Sequence, residues 1–258
     1  LVFFFKEEQS FFLAMTLRAL IFDVDGTLAE TEELHREAFN DAFAAAGLDW
    51  HWDQALYARL LAVTGGKERM AHYQHSAGVA APLPAAQIAA LHADKTTRYA
   101  NRVTAGRVDL RPGVRRLMNE ARAAGLRLAI ATTTSRANVD ALLAAASPLP
   151  GFDVIAAGDE VPRKKPAPDI YDLALARLGL PAEACIAIED TENGLRSAAG
   201  AGLRCVMTVS VYGGEGPFAE AVCTVSDLGE VGAPCRVLAG PGSSSGVIDL
   251  AYLRGLAR

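Results

Sequence analysis

Five short, mainly apolar runs recur along the chain: LRALIF (17–22), LRLAIAT (126–132), FDVIAAG (152–158), ACIAIED (184–190) and LRCVMTV (203–209). Runs of this length, with β-branched members and little polar alternation, predict strands buried on both faces, as in a parallel sheet. Segments with helical spacing lie between them: GVRRLMNEARAAG (113–125), RANVDALLAAA (136–146), DIYDLALARLGL (169–180) and NGLRSAAGAG (193–202). Strand alternating with helix predicts an α/β fold, a Rossmann-like doubly wound parallel sheet.

One segment breaks the alternation. From about Thr31 to Arg107 the pattern is almost wholly helical, with Leu34, Ala38, Phe39, Ala42 and Phe43 on one face and Thr31 as N-cap before Glu32 and Glu33. This predicts an inserted α-helical cap domain, residues 32–107, within a core domain formed by 15–31 and 108–258. The chain would return to the sheet near VDLRPGV, with Pro112 in the first turn of a helix. GPGSSSG (240–246) reads as a flexible loop before the amphipathic end VIDLAYLRGL.

Residues 1–14, LVFFFKEEQSFFLA, hold two aromatic bursts broken by Lys6, Glu7 and Glu8. Neither approaches the roughly 18 apolar residues of a membrane span. The segment reads as an upstream extension, with Met15 as the start; LVFFF has the composition of an aggregation-prone strand.

With 258 residues, 51% hydrophobic, the chain is long enough for one core with an inserted lobe. A net charge of -5, with scattered basic residues, leaves no electrostatic footprint for nucleic acid or an anionic membrane. The four cysteines, Cys185, Cys205, Cys223 and Cys235, show no CxxC spacing, and the first two fall in predicted strands. The expectation is a cytoplasmic monomer acting on a small molecule.

In open α/β sheets ligands bind beyond the carboxyl ends of the strands, so strand ends are where chemistry is sought. The first run ends on Asp23 and Asp25, the second on Thr132, Thr133, Thr134 and Ser135, and the fourth on Glu189 and Asp190; Lys164 and Lys165 follow the third. Carboxylates gathered at buried strand ends are costly unless a partner joins them, and a hard cation such as Mg2+ suits oxygen ligands. A phosphoryl group there would meet Mg2+, a lysine, hydroxyls and the amides of the Gly26 turn, with a carboxylate able to attack it.

DVDGT (23–27), Thr132 after its strand, KPAPD (165–169) and EDTENG (189–194) together resemble the four ordered motifs of the haloacid dehalogenase superfamily of phosphohydrolases. The likeness spans nearly the whole chain after Met15. The helical insert resembles the cap of the β-phosphoglucomutase-like branch. Its stretches LAETEELHREAFN, GLDWHWD and TGGKERM are similar to the CbbY-type family of xylulose-1,5-bisphosphate phosphatases, which remove a misfire product that inhibits the carbon-fixing carboxylase.

The resemblance implies roles. Asp23 would attack phosphorus to form an aspartyl-phosphate, and Asp25 would protonate the leaving sugar oxygen and then activate water. The Asp23 carboxylate, the Asp25 backbone carbonyl and Asp190 would hold Mg2+, helped by Glu189, while Thr132 and Lys165 grip the phosphoryl group. From the insert, Glu32, His35 and Gly65, Gly66, Lys67, Glu68 and Arg69 would meet the sugar and its second phosphate; Thr133, Thr134, Ser135, Arg136, Ala137 and Asn138 would close the pocket from the core, with Arg136 approaching the distal phosphate.

Several residues carry a plainer reading. Asp190 and Glu189 suit a helix start, and Lys67 and Arg69 a solvated one. Lys164 reads as an ordinary solvated lysine. His35 stands between core edge and substrate contact; His51, His72, His75 and His92 lack zinc-site neighbours and read as structural or surface. Trp50 and Trp52 read as packing within the insert, and Lys95 as within reach of the cleft. The leading expectation is the bisphosphatase; the alternatives are β-phosphoglucomutase, another small sugar-phosphate phosphatase, or a catalytically dead binding protein, which should lack a nucleophile or ligand that this chain retains.

Overall fold

The computed structural model describes residues 16–256, apart from Arg107, Glu215 and Pro217. The expected upstream extension, residues 1–14 with Met15 as the start, lies outside the described residues. Seven strands form one sheet: β1 (Ala19–Phe22), β2 (Arg127–Ala131), β3 (Val154–Ala156), β4 (Cys185–Glu189), β5 (Arg204–Thr208), β6 (Cys223–Val225) and β7 (Val237–Ala239). Their order is β3-β2-β1-β4-β5-β6-β7, and every neighbouring pair is parallel except β6 with β7. The winding runs outward in opposite directions from β1, so the carboxyl ends of β1 and β4 border the crevice in which such sheets bind ligands.

Side chains alternate across β1. Leu20 and Phe22 enter an apolar cluster with Leu117, Leu128 and Val139, whereas Ala19 and Ile21 enter a second with Ala129, Tyr171 and Leu195. Burial on both faces explains the unbroken apolar runs. β6 and β7, which the hydrophobic pattern does not reveal, are three residues each, and β7 is exposed throughout.

Between β1 and the rest of the sheet run four helices: α1 (Glu32–Ala45), α2 (Gln54–Leu60), α3 (Gly66–Ser76) and α4 (Ala85–Thr104). They gather around their own cluster, in which Phe39, Phe43, Trp50, Trp52, Tyr57 and Met70 are buried. Trp52 touches Phe39, Phe43, Tyr57 and Tyr73, the packing role expected of it. The helices α5 (Val114–Ala123), α6 (Arg136–Ala145), α7 (Asp169–Leu178), α8 (Glu192–Gly200) and α9 (Leu250–Leu256) complete the order. None of the described helices is long and apolar enough to cross a membrane.

One local expectation holds in position but not in its hydrogen bond, and a second is corrected. Thr31 occupies the N-cap position of α1, but its side chain makes no cap hydrogen bond and donates instead to Asp25 Oδ1 at 2.5 Å. Pro112 precedes the helix: Gly113, at φ 81°, is the N-cap of α5, a conformation that favours glycine.

The chain enters and leaves the helical insert at one place. Ala29 and Leu110 form an antiparallel bridge. Beside it the buried Arg111 donates to the carbonyls of Thr208 (2.9 Å), Val209 (2.7 Å), Ser226 (2.7 Å) and Gly26, and lies 3.2 Å from Glu30 Oε1.

Candidate active site

Beyond Phe22 the chain turns through Asp23, Val24, Asp25 and Gly26, with Leu28 N donating to Val24 O and Gly26 N to Ala29 O. Gly26 has φ 81°, and a Cβ there would stand 2.1 Å from Asp190 Oδ2, so the turn requires glycine on both counts. This brings the ends of β1 and β4 together. One oxygen from each of Asp23, Glu189 and Asp190 lies within 4.8 Å of the others, and all three residues are buried.

A single ammonium faces them. Lys165 Nζ donates to Asp23 Oδ1 (2.7 Å), Glu189 Oε1 (2.5 Å) and Ala131 O (2.9 Å), and Tyr171 Oη donates to the same Glu189 oxygen at 2.7 Å. Burial would lower the Lys165 ammonium, but the charges of Asp23 and Glu189 outweigh it and hold the group above its ordinary value. Asp23 is pushed up to about 7, first by burial and then by the charge of Glu189, against the pull of Lys165. Asp190, buried and beside the charges of Asp23 and Glu189, is raised well above the carboxylate range; Ser210 Oγ donates to it at 2.6 Å. Three carboxylates with one ammonium among them form an oxygen-rich, charge-deficient site, which fits a hard divalent cation such as Mg2+.

The Asp25 carboxylate faces the helices instead. Thr31 Oγ1 and His35 Nε2 (2.9 Å) meet its Oδ1, and Lys95 Nζ lies 2.5 Å from His35 Nδ1. Burial would raise this carboxyl; the charges of His35 and Lys95 and the hydrogen bonds from His35 and Thr31 overcome it and hold the group ionised. Burial brings Lys95 down to about 7 despite Asp25 and Glu32 nearby. His35 also stacks on Tyr99 at 3.9 Å between ring centroids, so it is both packed and engaged with the cleft.

The cleft has two adjoining compartments that share Asp25, Glu32, Arg69 and Thr133. The inner one is bordered by Asp23, Thr132, Lys165 and Asp190. The outer one is bordered by His35, Gly65, Gly66, Lys67, Glu68, Thr134, Ser135 and Asn138. Tyr57 Oη donates to Glu32 Oε2 at 2.7 Å and receives Arg69 Nη1 at 3.2 Å, which fixes both charged groups.

The structure therefore brings together most of the predicted residues, with two exceptions and one reassignment. Arg136 and Ala137 are exposed on the first turn of α6, and Arg136 pairs with Asp140 one turn on, away from the cleft. Lys164 is not a solvated lysine: its side chain is 13% exposed and donates to Gly158 O and Asp159 Oδ1. Lys95 borders the outer compartment, within reach of the cleft as expected, and Asp159 and His92 border it without a sequence signal that marks them as site residues. His92 lies against Gly66, where a Cβ would stand 2.5 Å from its Nε2; burial, then the charges of Lys95 and Lys67, take its imidazole down to about 3.

A model of the haloacid dehalogenase-like hydrolase family matches residues 17–202. The chain belongs to that family. Protein CbbY of Rhodobacter capsulatus is 57% identical over 217 residues, covering 83% of this chain and 95% of that protein. Protein CbbY of Cereibacter sphaeroides is 52% identical over 220 residues, 84% of this chain and 94% of its own. A crystal structure of a CbbY mutant from Rhodobacter sphaeroides, in complex with xylulose-(1,5)bisphosphate, matches with a TM-score of 0.78 and 50% identity over 84% of this chain and 97% of that one. A β-phosphoglucomutase from Clostridium difficile, 17% identical with a TM-score of 0.72, shares the fold.

Proposed function

We propose that the protein is a Mg2+-dependent sugar phosphatase that hydrolyses xylulose 1,5-bisphosphate to xylulose 5-phosphate and inorganic phosphate. The observation that carries the reaction class is the Asp23 carboxylate, held by Lys165 beside Glu189 and Asp190 and opening into a cleft shared with Asp25. The substrate rests on the likeness to CbbY, which has been seen with this bisphosphate.

Asp23 attacks phosphorus, the bond from phosphorus to the sugar oxygen breaks, and that oxygen takes its proton from Asp25, which draws one in turn through His35 from the Lys95 ammonium and so ends the step ionised. Water then attacks the aspartyl-phosphate, Asp25 takes its proton, and the bond to Asp23 breaks, releasing phosphate. The ionised Asp25 held by His35 and Thr31 is the form that accepts the proton; His35 and Lys95 continue the hydrogen-bond chain. Lys165 and Thr132 position the phosphoryl oxygens. When bound by Asp23, Asp190 and the Asp25 carbonyl, with Glu189 behind them, Mg2+ would offset negative charge on the carboxylates and the phosphoryl group.

In this reading residues 32–107 act as a cap on the core, and Glu32, His35, Gly65, Gly66, Lys67, Glu68 and Arg69 meet the sugar and its second phosphate from that side. Thr133, Thr134, Ser135 and Asn138 meet it from the core. The four buried, unpaired cysteines support a reducing, cytoplasmic setting for a monomer.

The test is phosphate release with Mg2+ from xylulose 1,5-bisphosphate and other sugar mono- and bisphosphates, with β-glucose 1-phosphate as a mutase control. The bisphosphate should give the highest kcat/KM. Formation of glucose 6-phosphate without net phosphate release would make the protein a mutase.

A further inference from the structure

In the outer compartment three charged side chains meet across the cleft. Lys67 Nζ, from the first turn of α3, lies 2.5 Å from Asp159 Oδ2, and Lys164 Nζ, from the loop before Lys165, lies 2.7 Å from Asp159 Oδ1. Asp159 stands in the turn that follows β3, so one carboxylate joins an ammonium of the helical insert to one of the sheet. The three differ in freedom. The Lys164 side chain is 13% exposed and is anchored at its tip by Gly158 O at 2.6 Å, whereas that of Asp159 is 63% exposed. The carboxylate can swing into water; the Lys164 ammonium cannot follow it.

The surroundings favour an anion larger than a carboxylate. Thr134 and Ser135 border the same space, as does the start of α3, where the N-cap Gly65 has no side chain to occupy it. A phosphate monoester carries up to two charges and three acceptor oxygens, which suits two ammoniums approaching from opposite walls better than a single carboxylate does.

Resting on the substrate reading above, we propose that Asp159 is a displaceable stand-in for the substrate's distal phosphate. In the substrate-free protein it pairs Lys67 with Lys164, and it yields both ammoniums to the phosphate as that group enters. Lys164 is then a specificity residue for bisphosphates, separate in role from its neighbour Lys165. The ammonium pair is complete only while the two walls are together, so the distal phosphate is gripped only in the closed cleft.

The experiment measures kcat/KM for xylulose 1,5-bisphosphate and for p-nitrophenyl phosphate, which has no second phosphate, and follows their ratio. Lys164→Gln should lower the ratio by about tenfold or more, mainly through KM for the bisphosphate. Lys164→Arg should hold it within about threefold, and Asp159→Asn, which removes the competing carboxylate, should raise it. A ratio that survives Lys164→Gln overturns the proposal, as does an Asp159→Asn variant whose ratio falls in step with Lys164→Gln, since Asp159 would then orient the lysines rather than stand in for the phosphate. A wild type without preference for the bisphosphate overturns the substrate reading and this proposal together; a preference that persists in Lys164→Gln overturns the proposal alone.

Discussion

His35 Nε2 lies 2.9 Å from Asp25 Oδ1, and this contact joins the first turn of helix α1 to the turn that carries Asp23 and Asp25. Lys95 closes the chain from helix α4, 2.5 Å from the other ring nitrogen. Two residues from separate helices, His35 and Lys95, thus act on one carboxyl group, and the Lys95 ammonium is buried.

Lys95 should cost the fold stability that the site uses. Its ammonium is brought down by burial to about 7 from 10.5, so folding is disfavoured in full below about pH 7 and the penalty fades as pH rises towards 10.5. Lys95→Met should raise the melting temperature at neutral pH and lower kcat by about tenfold or more, because Asp25 loses a charge that keeps it ionised. Thermal melts across pH would show the gap between variant and wild type narrowing at alkaline pH; a gap independent of pH would contradict this.

Asp23→Asn should abolish turnover by several orders of magnitude while the protein stays folded. Acid quenching after brief exposure to substrate should trap an acid-stable, base-labile phosphoryl adduct on the wild type and none on the variant. Near-normal phosphate release by folded Asp23→Asn would remove the covalent step.

Metal and pH should act together on stability. Asp23 stands at about 7 in the fold against 3.8 ordinarily, so its contribution to the metal-free protein is greatest below about pH 4 and is lost as pH rises through about 7. Mg2+ competes with protons for these oxygens, so its stabilisation should be larger at about pH 8 than at about pH 5. Melting temperatures with EDTA and with Mg2+ at the two pH values test this. Asp190→Asn should shrink the gain and raise the Mg2+ concentration needed for activity.

Within the helical insert, Phe43 is fully buried against Phe39, Trp50 and Trp52. Phe43→Ala should destabilise the protein by about 3–5 kcal/mol. Urea unfolding would register it, and a loss under about 1 kcal/mol would mean that this aromatic cluster repacks.

How far the sequence reveals the site depends on where each residue sits. Asp23, Thr132, Glu189 and Asp190 end apolar runs, so the strand pattern itself carries them to one sheet edge. His92, and the contact of Lys95 with His35, offer no such mark: each depends on how four helices pack around Phe39 and Trp52. Asp159 sits in a three-residue turn whose only visible sign is Gly158. Arg136 lay open to a better reading, since Asp140 stands one helical turn ahead and supplies its partner. β6 and β7 escape notice because three residues are too few to establish a period.

Lys165 has three N–H groups, and all three are spent: on Asp23, on Glu189 and on the carbonyl of Ala131. An ammonium so saturated cannot simply add a fourth acceptor. Any oxygen it comes to hold must take the place of one it holds already. The bond to Ala131 belongs to the backbone and Glu189 is wholly enclosed, so the exchangeable partner is Asp23, the group that in the proposed reaction must be released before it can attack. Substrate capture and the unmasking of the nucleophile would then be a single swap of hydrogen bonds at one nitrogen.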